Sequence, residues 1–152
     1  MEKKFVLDTM LEKLARWLRI IGYDVIFNPK MELIELIQIA NYQNRIFVTR
    51  RRYLPMDVTI NNLYKLMSEN FEEQFRDVVE KFGLDIKSGI FTRCTDCNEI
   101  VVKVEKESVK DRVPEMSWQG FQEFYECPKC KKVFWKGAHY KNTIRKLEKI
   151  MR

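Results

Sequence analysis

The chain has 152 residues, 45% of them hydrophobic and 33% charged, and this composition excludes an intrinsically disordered or fibrous protein. No apolar stretch is long enough to span a bilayer, and the first residues lack the apolar core of a signal peptide. We therefore expect a cytoplasmic protein, in which paired cysteines bind a metal more often than they form disulfides.

The first half of the sequence predicts an α/β layer. Short apolar runs at residues 5–7, 23–27 and 45–49 are typical of buried strands. Apolar residues at helical spacing follow the first two of these runs. Because strands and helices alternate, we expect a parallel sheet flanked by helices.

Local signals place the predicted helices. Thr9, followed three residues later by Glu12, is typical of a capping box, with Thr9 as the N-cap of the first helix. Residues 71–82 carry an apolar stripe that predicts a further helix. A last amphipathic stripe at residues 140–152, with basic residues between its apolar positions, predicts a terminal helix.

Four cysteines in the second half form two CxxC pairs, Cys94 with Cys97 and Cys127 with Cys130. A two-residue gap allows both sulfurs of a pair to face one ion, and two pairs complete a tetrahedral shell of thiolates. Such a shell is closed to substrate, so we expect a structural Zn²⁺ in a ribbon. Four unrelated core cysteines and two redox pairs are the alternatives, although a redox CxxC is expected after a strand in a thioredoxin-like unit.

The positive charge of the chain is concentrated in this second half. Residues 1–86 balance 13 Lys and Arg against 13 Asp and Glu, whereas residues 87–152 carry 15 against 9. A concentrated basic surface indicates a polyanionic partner, most simply nucleic acid, although a solvated basic helix is the plainer alternative. The shift in charge also predicts two domains, 1–87 and 88–152.

Five separate blocks resemble one known family, the Mut-seven C-terminal ribonuclease domain. Residues 8–24 (DTMLEKLARWLRIIGYD) and 45–50 (RIFVTR) are similar to its opening and third-strand motifs. Residues 93–98 (RCTDCN), 124–130 (FYECPKC) and 135–140 (WKGAHY) resemble its zinc-ribbon motifs. The resemblance implies a PIN-like domain fused to a zinc ribbon, and PIN domains are metal-dependent nucleases that cut RNA.

The resemblance also implies a catalytic site of acidic residues at the ends of the strands. Asp8 matches the first acidic position, and Glu32 and Glu35 are the acids available on the second helix. Carboxylates of this kind hold Mg²⁺ or Mn²⁺ for phosphodiester hydrolysis. Two positions depart from the family pattern, because Arg51 and Leu33 stand where acids are expected.

Three functions therefore stay open: a metal-dependent ribonuclease, a nuclease-dead RNA- or ribosome-binding module, and a protein-interaction module using the ribbon. Arginines bind phosphate well, and aromatic rings stack on unpaired bases. His139, the single histidine, is also explained by packing or surface exposure. We expect no small-molecule cofactor. The predicted RNA-binding residues are Lys13, Arg16, Arg19, Arg50, Arg51, Arg52, Trp135 and His139.

Overall fold

A computed structural model describes residues 2–152, and its first half contains a four-stranded parallel sheet. The strands are β1 (Lys4–Leu7), β2 (Asp24–Ile26), β3 (Ile46–Thr49) and β4 (Leu63–Lys65), in the order β2-β1-β3-β4. The helices of this half are α1 (Glu12–Ile20), α2 (Leu33–Tyr42) and α3 (Phe71–Phe82). The predicted α/β fold, a parallel sheet flanked by helices, is confirmed.

Alternating residues of β1 point into two separate cores. Phe5 and Leu7 are buried on the face covered by α1 and α3, whereas Val6 packs with α2 on the other face. This alternation follows from the two-residue repeat of a strand. A sheet buried on both faces explains why its central strands read as continuous apolar runs.

The second half begins with a small antiparallel sheet. Its strands are β5 (Val102–Val104), β6 (Phe124–Glu126) and β7 (Val133–Phe134), in the order β5-β6-β7. A 3₁₀ helix (Lys106–Val109) and α4 (Glu115–Gly120) connect β5 to β6. We call residues 93–135 the ribbon; its small core consists of Cys94, Cys127, Val101 and Phe134.

The last helix, α5 (Ala138–Ile150), returns to the first half of the chain. Leu147 and Ile150 belong to the same buried cluster as α1 and α3, and Arg76 of α3 donates a hydrogen bond to the Ile150 carbonyl at 2.7 Å. The division into domains 1–87 and 88–152 stays a prediction. Within residues 2–152, no helix is both long and apolar enough to cross a membrane.

The predicted capping box is wrong. Helix α1 begins at Glu12 with Leu11 at the N-cap and no side-chain cap. The reason is the preceding turn, in which the Thr9 amide donates to the Asp8 carboxylate and the Leu11 amide to the Asp8 carbonyl. The segment that was expected to start the helix therefore forms a turn whose amides donate hydrogen bonds to Asp8.

Candidate metal centre and nucleic-acid surface

The carboxyl ends of the neighbouring strands β1 and β3 lie side by side, at the point where successive strands begin to be added on the opposite side of the sheet. Asp8 follows β1, Thr49 ends β3, and the Asp8 amide donates to the Val48 carbonyl at 3.0 Å. The chain moves from β1 to β2 on one side and then to β3 on the other. Open α/β sheets bind ligands at such a switch point.

The Asp8 carboxylate is fully buried there and is surrounded by protein donors. Oδ2 accepts hydrogen bonds from Thr49 Oγ1 and from Arg51 Nε, both at 2.7 Å. Oδ1 accepts from the Thr9 amide at 2.7 Å and from Arg51 Nη2 at 3.3 Å. Arg51 therefore donates hydrogen bonds to both carboxylate oxygens of Asp8. Thr49 Oγ1 in turn accepts a hydrogen bond from the backbone amide of Arg51 at 3.0 Å.

This arrangement sets the ionisation of Asp8. Burial by itself raises the pKa of a carboxyl group. The hydrogen bonds from Arg51, Thr49 and Thr9 outweigh burial, so the pKa of Asp8 lies below its ordinary value. The carboxylate is therefore charged near neutral pH, and its counter-charge is a guanidinium of the same chain.

The residues at this edge do not fit a divalent cation as they stand. Each Asp8 oxygen already accepts two hydrogen bonds, and a hard cation needs several such oxygens. Glu32 and Glu35 are exposed at the start of α2. Within residues 2–152 they form no group of three potential ligands with Asp8; the four cysteines alone form such a group.

The other predicted RNA-binding cations near this edge of the sheet differ in whether a protein group already contacts them. Arg52 is exposed, whereas Arg50 lies 3.7 Å from the carboxylate of Glu69. Lys13 of α1 lies over the Phe71 ring, 4.7 Å from its centre, with an exposed side chain. The edge therefore presents positive charge around a neutralised Asp8–Arg51 pair.

The four cysteines lie together, and their ligand atoms are all within 4.8 Å of one another. Both CxxC turns have the same backbone design. The Cys94 carbonyl accepts from the Asn98 amide and the Cys127 carbonyl from the Lys131 amide, each at 2.9 Å. Asn98 and Lys131 both adopt positive φ, 64° and 70°.

Equivalent turns aim two sulfurs each at one point, and this donor set fits a tetrahedral metal ion. Burial raises the pKa of Cys94 and raises that of Cys97 to about 12. Burial also tends to raise the pKa of Cys127, but the amides of Cys130 and Lys129 outweigh it and lower that pKa to about 7. A thiolate is the form that binds metal. The geometry agrees with the predicted closed, structural centre.

The ribbon is fastened to β2 by side chains close to the first cysteine pair. Asn98 accepts from the Val25 amide at 3.0 Å and donates to the Asp24 carboxylate at 2.7 Å. Asp24 also pairs with Arg45 at 2.8 Å. Burial tends to raise the pKa of Asp24, but the hydrogen bonds from Arg45 and Asn98 lower it below its ordinary value.

Arg19, one of the predicted RNA-binding residues, belongs to this junction. It is buried, and its guanidinium donates to the carbonyls of Val25 and Thr95 at 2.8 to 3.0 Å. Arg19 was expected to be available to RNA, but the ribbon docks against it through the Thr95 carbonyl.

A cavity of about 610 Å³ opens where α1, the ribbon and α5 meet. It brings together three predicted RNA-binding residues, Arg16, Trp135 and His139. His139 is exposed and stacks on Phe91, with ring centres 5.4 Å apart and planes inclined by 20°. The sequence did not predict this cavity, because its walls come from three distant segments.

A family model described as Mut7-C RNAse domain matches residues 3–147, nearly the whole chain. No curated protein matches the chain. The matched range includes both the sheet edge around Asp8 and the four cysteines.

Proposed function

The chain belongs to the Mut7-C RNAse domain family, and we propose that it is an RNA-binding protein whose sheet-edge site is held by the Asp8–Arg51 ion pair instead of a catalytic metal. The single observation that carries this proposal is the pairing of Arg51 with both oxygens of Asp8. Family membership supports RNA as the partner. The ion pair supports binding without hydrolysis.

The electrostatics of the pair argue against metal-dependent cleavage. A divalent cation near Asp8 would lie within a few ångströms of the Arg51 guanidinium, and like charges at that distance repel strongly where solvent is scarce. The Asp8 side chain is 0% exposed, so solvent offers little screening on its side. Displacing Arg51 would also break two hydrogen bonds to a buried charge.

Exposed cations supply the phosphate contacts in this proposal. At the sheet edge these are Arg52 and Lys13, and near the ribbon the exposed Arg16 adds to them. Helix α5 presents the exposed side chains Lys141, Arg145, Lys146 and Lys149. Contacts of this type release counterions, so affinity falls as salt rises.

We further propose that Cys94, Cys97, Cys127 and Cys130 hold Zn²⁺. Four thiolates within 4.8 Å of one another are the donor set typical of structural zinc. The ion shapes the wall of the cavity, because Thr95 and Lys132 belong to the two cysteine turns and line it. It takes no part in chemistry.

The second candidate function is a metal-dependent ribonuclease. It is favoured by the position of Asp8 at the switch point of the sheet, where open α/β sheets bind their ligands. Glu32 and Glu35 would then join Asp8 in holding Mg²⁺ or Mn²⁺. This function requires Arg51 to leave Asp8 and α2 to bring a glutamate closer.

The test is RNA binding and RNA cleavage measured on the same zinc-replete protein. Fluorescence anisotropy with labelled single-stranded and hairpin RNAs at increasing salt is expected to show binding that weakens steeply. The same RNAs incubated with Mn²⁺ or Mg²⁺ are expected to stay intact. Undetectable or salt-independent binding would overturn the proposed RNA-binding function, and cleavage abolished by Asp8→Asn would establish the second candidate.

A further inference from the structure

The cavity at the junction of α1, the ribbon and α5 has the size of a ligand site. Its volume of about 610 Å³ lies within the range of roughly 300–1,000 Å³ typical of small-molecule pockets. Trp17 contributes from α1, Trp135 follows β7, and His139 begins α5. Trp135 and His139 are close in sequence, whereas α1 lies far from both, so two distant parts of the chain form one concave surface.

The charge of the cavity favours an anion. Its lining includes the cations Arg16, Lys132 and Lys146, and it includes no carboxylate. All three cations are exposed. Asp96 stands at the rim, 3.7 Å from Arg16 and 3.8 Å from Lys132, as an exposed counter-ion. Exposed pairs of this kind are weak, so a phosphate can replace Asp96 at little cost.

The inner wall favours a flat aromatic group. Trp135 and His139 are lining residues, and His139 is already held at a fixed tilt by stacking on Phe91. Trp135 is itself positioned by Phe124, with ring centres 6.0 Å apart. Pre-positioned aromatic rings stack on a nucleobase with little loss of side-chain freedom.

We infer that this cavity binds one unpaired nucleotide of an RNA strand, with the base against Trp135 and His139 and the phosphate among Arg16, Lys132 and Lys146. The inference rests on the proposed RNA-binding function and names the form of RNA: a single strand or loop with a free base. A base-paired nucleotide cannot enter, because its base is stacked inside the duplex.

The experiment compares two labelled RNAs by fluorescence anisotropy: a single-stranded decamer and a duplex of equal length. Two variants act on the cavity. Ala138→Trp fills it from an exposed position at the start of α5, and Lys146→Glu reverses a cation of its rim. Asn142→Trp and Lys149→Glu are the matched controls, since both positions are exposed on α5 outside the lining.

The wild-type protein is expected to bind the single strand about tenfold more tightly than the duplex, in line with the stacking of one base. Ala138→Trp is expected to remove this preference and leave duplex binding unchanged, and Lys146→Glu to weaken single-strand binding more than Lys149→Glu does. Thermal unfolding confirms that each variant is folded.

Equal single-strand binding by wild type, Ala138→Trp and Lys146→Glu would overturn the inference and leave the proposed RNA-binding function intact. Equal affinity of the wild type for the decamer and the duplex would also overturn it. If the wild-type protein binds neither RNA, the proposed function itself fails, so the two failures are distinguishable.

Discussion

The guanidinium of Arg51 contacts both carboxylate oxygens of Asp8, with Nε to Oδ2 at 2.7 Å and Nη2 to Oδ1 at 3.3 Å. The two residues lie 43 positions apart in the chain and meet because β1 and β3 are neighbours in the sheet. The pair places a positive charge against both oxygens of the buried Asp8 carboxylate. Its consequences for stability, pH dependence and metal binding are open to measurement.

Removal of Arg51 is expected to destabilise the protein more than removal of the Asp8 charge. Arg51→Met leaves a carboxylate that is 0% exposed without its cation, whereas in Asp8→Asn the partly exposed Arg51 can turn toward solvent. We expect a loss of about 2–3 kcal/mol for Arg51→Met and about 1 kcal/mol for Asp8→Asn, measured by urea unfolding. Arg52→Met, an exposed neighbour, is the control and should change stability by less than about 0.5 kcal/mol. Equal effects of Arg51→Met and Arg52→Met would show that the ion pair does not form in solution.

The Asp8 pair is also expected to make stability fall in acid. The pKa of Asp8 is lowered in the folded state, because its hydrogen bonds outweigh the effect of burial. The unfolded chain therefore binds the proton first, near the ordinary value of about 3.9. The contribution is fully present above that pH and is lost as pH falls through the folded pKa. Urea unfolding from about pH 6 to pH 2.5 should show a shallower acid loss in Asp8→Asn than in wild type. Identical profiles would contradict the lowered pKa.

Metal removal is expected to loosen β2 as well as the ribbon. Asn98, within the first cysteine turn, accepts a hydrogen bond from the Val25 amide and donates one to the Asp24 carboxylate. The folded turn therefore stabilises β2, an edge strand of the parallel sheet. After chelation, hydrogen exchange should accelerate at the Val25 amide. Amides of β4, at the opposite edge of the sheet, serve as the control. Loss of ribbon protection with an unchanged Val25 amide would show that the two parts are independent.

Asp96→Asn is expected to tighten RNA binding. Asp96 is the counter-ion of Arg16 and Lys132 at the rim of the cavity, and its neutralisation frees both cations for phosphate. We expect affinity for a single strand to rise about threefold at low salt, with a steeper dependence on salt concentration. Glu99→Gln is the matched control, an exposed acid in the same ribbon segment. Similar gains in both variants would indicate only a general charge effect.

Most elements of the parallel sheet could be predicted from local patterns. Helix α3 was predicted with its observed bounds, because its apolar stripe repeats at helical spacing. The structure ends it at Gly83, which adopts a φ of 61°. β4 was not predicted. It is three residues long and lies at the edge of the sheet, where Leu63 is 41% exposed. Such a short strand shows neither a run of apolar residues nor an alternation of apolar and polar residues.

The proximity of the four cysteines could be predicted from the sequence, whereas the contacts around Asp8 could not. The spacing of the cysteines indicated one metal centre, and the structure brings all four together. Arg51 was recognised as a cation in an acidic position, but its pairing with Asp8 depends on which strands are neighbours. Arg19 was expected on an exposed face, and its burial depends on the ribbon docking there.

The account depends most on whether Arg51 excludes a metal from Asp8. The decisive measurement is the binding of Mn²⁺ to the zinc-replete protein by isothermal titration calorimetry, paired with a cleavage assay on single-stranded RNA, for wild type, Arg51→Asp and the control Arg52→Asp. The wild type and Arg52→Asp are expected to bind no Mn²⁺ at this edge and to leave RNA intact. Arg51→Asp is expected to gain a site, because a second carboxylate joins Asp8 and the repelling cation is gone, and Asp8→Asn in the same chain should remove it. Mn²⁺ binding and RNA cleavage by the wild type, both abolished by Asp8→Asn, would contradict the account.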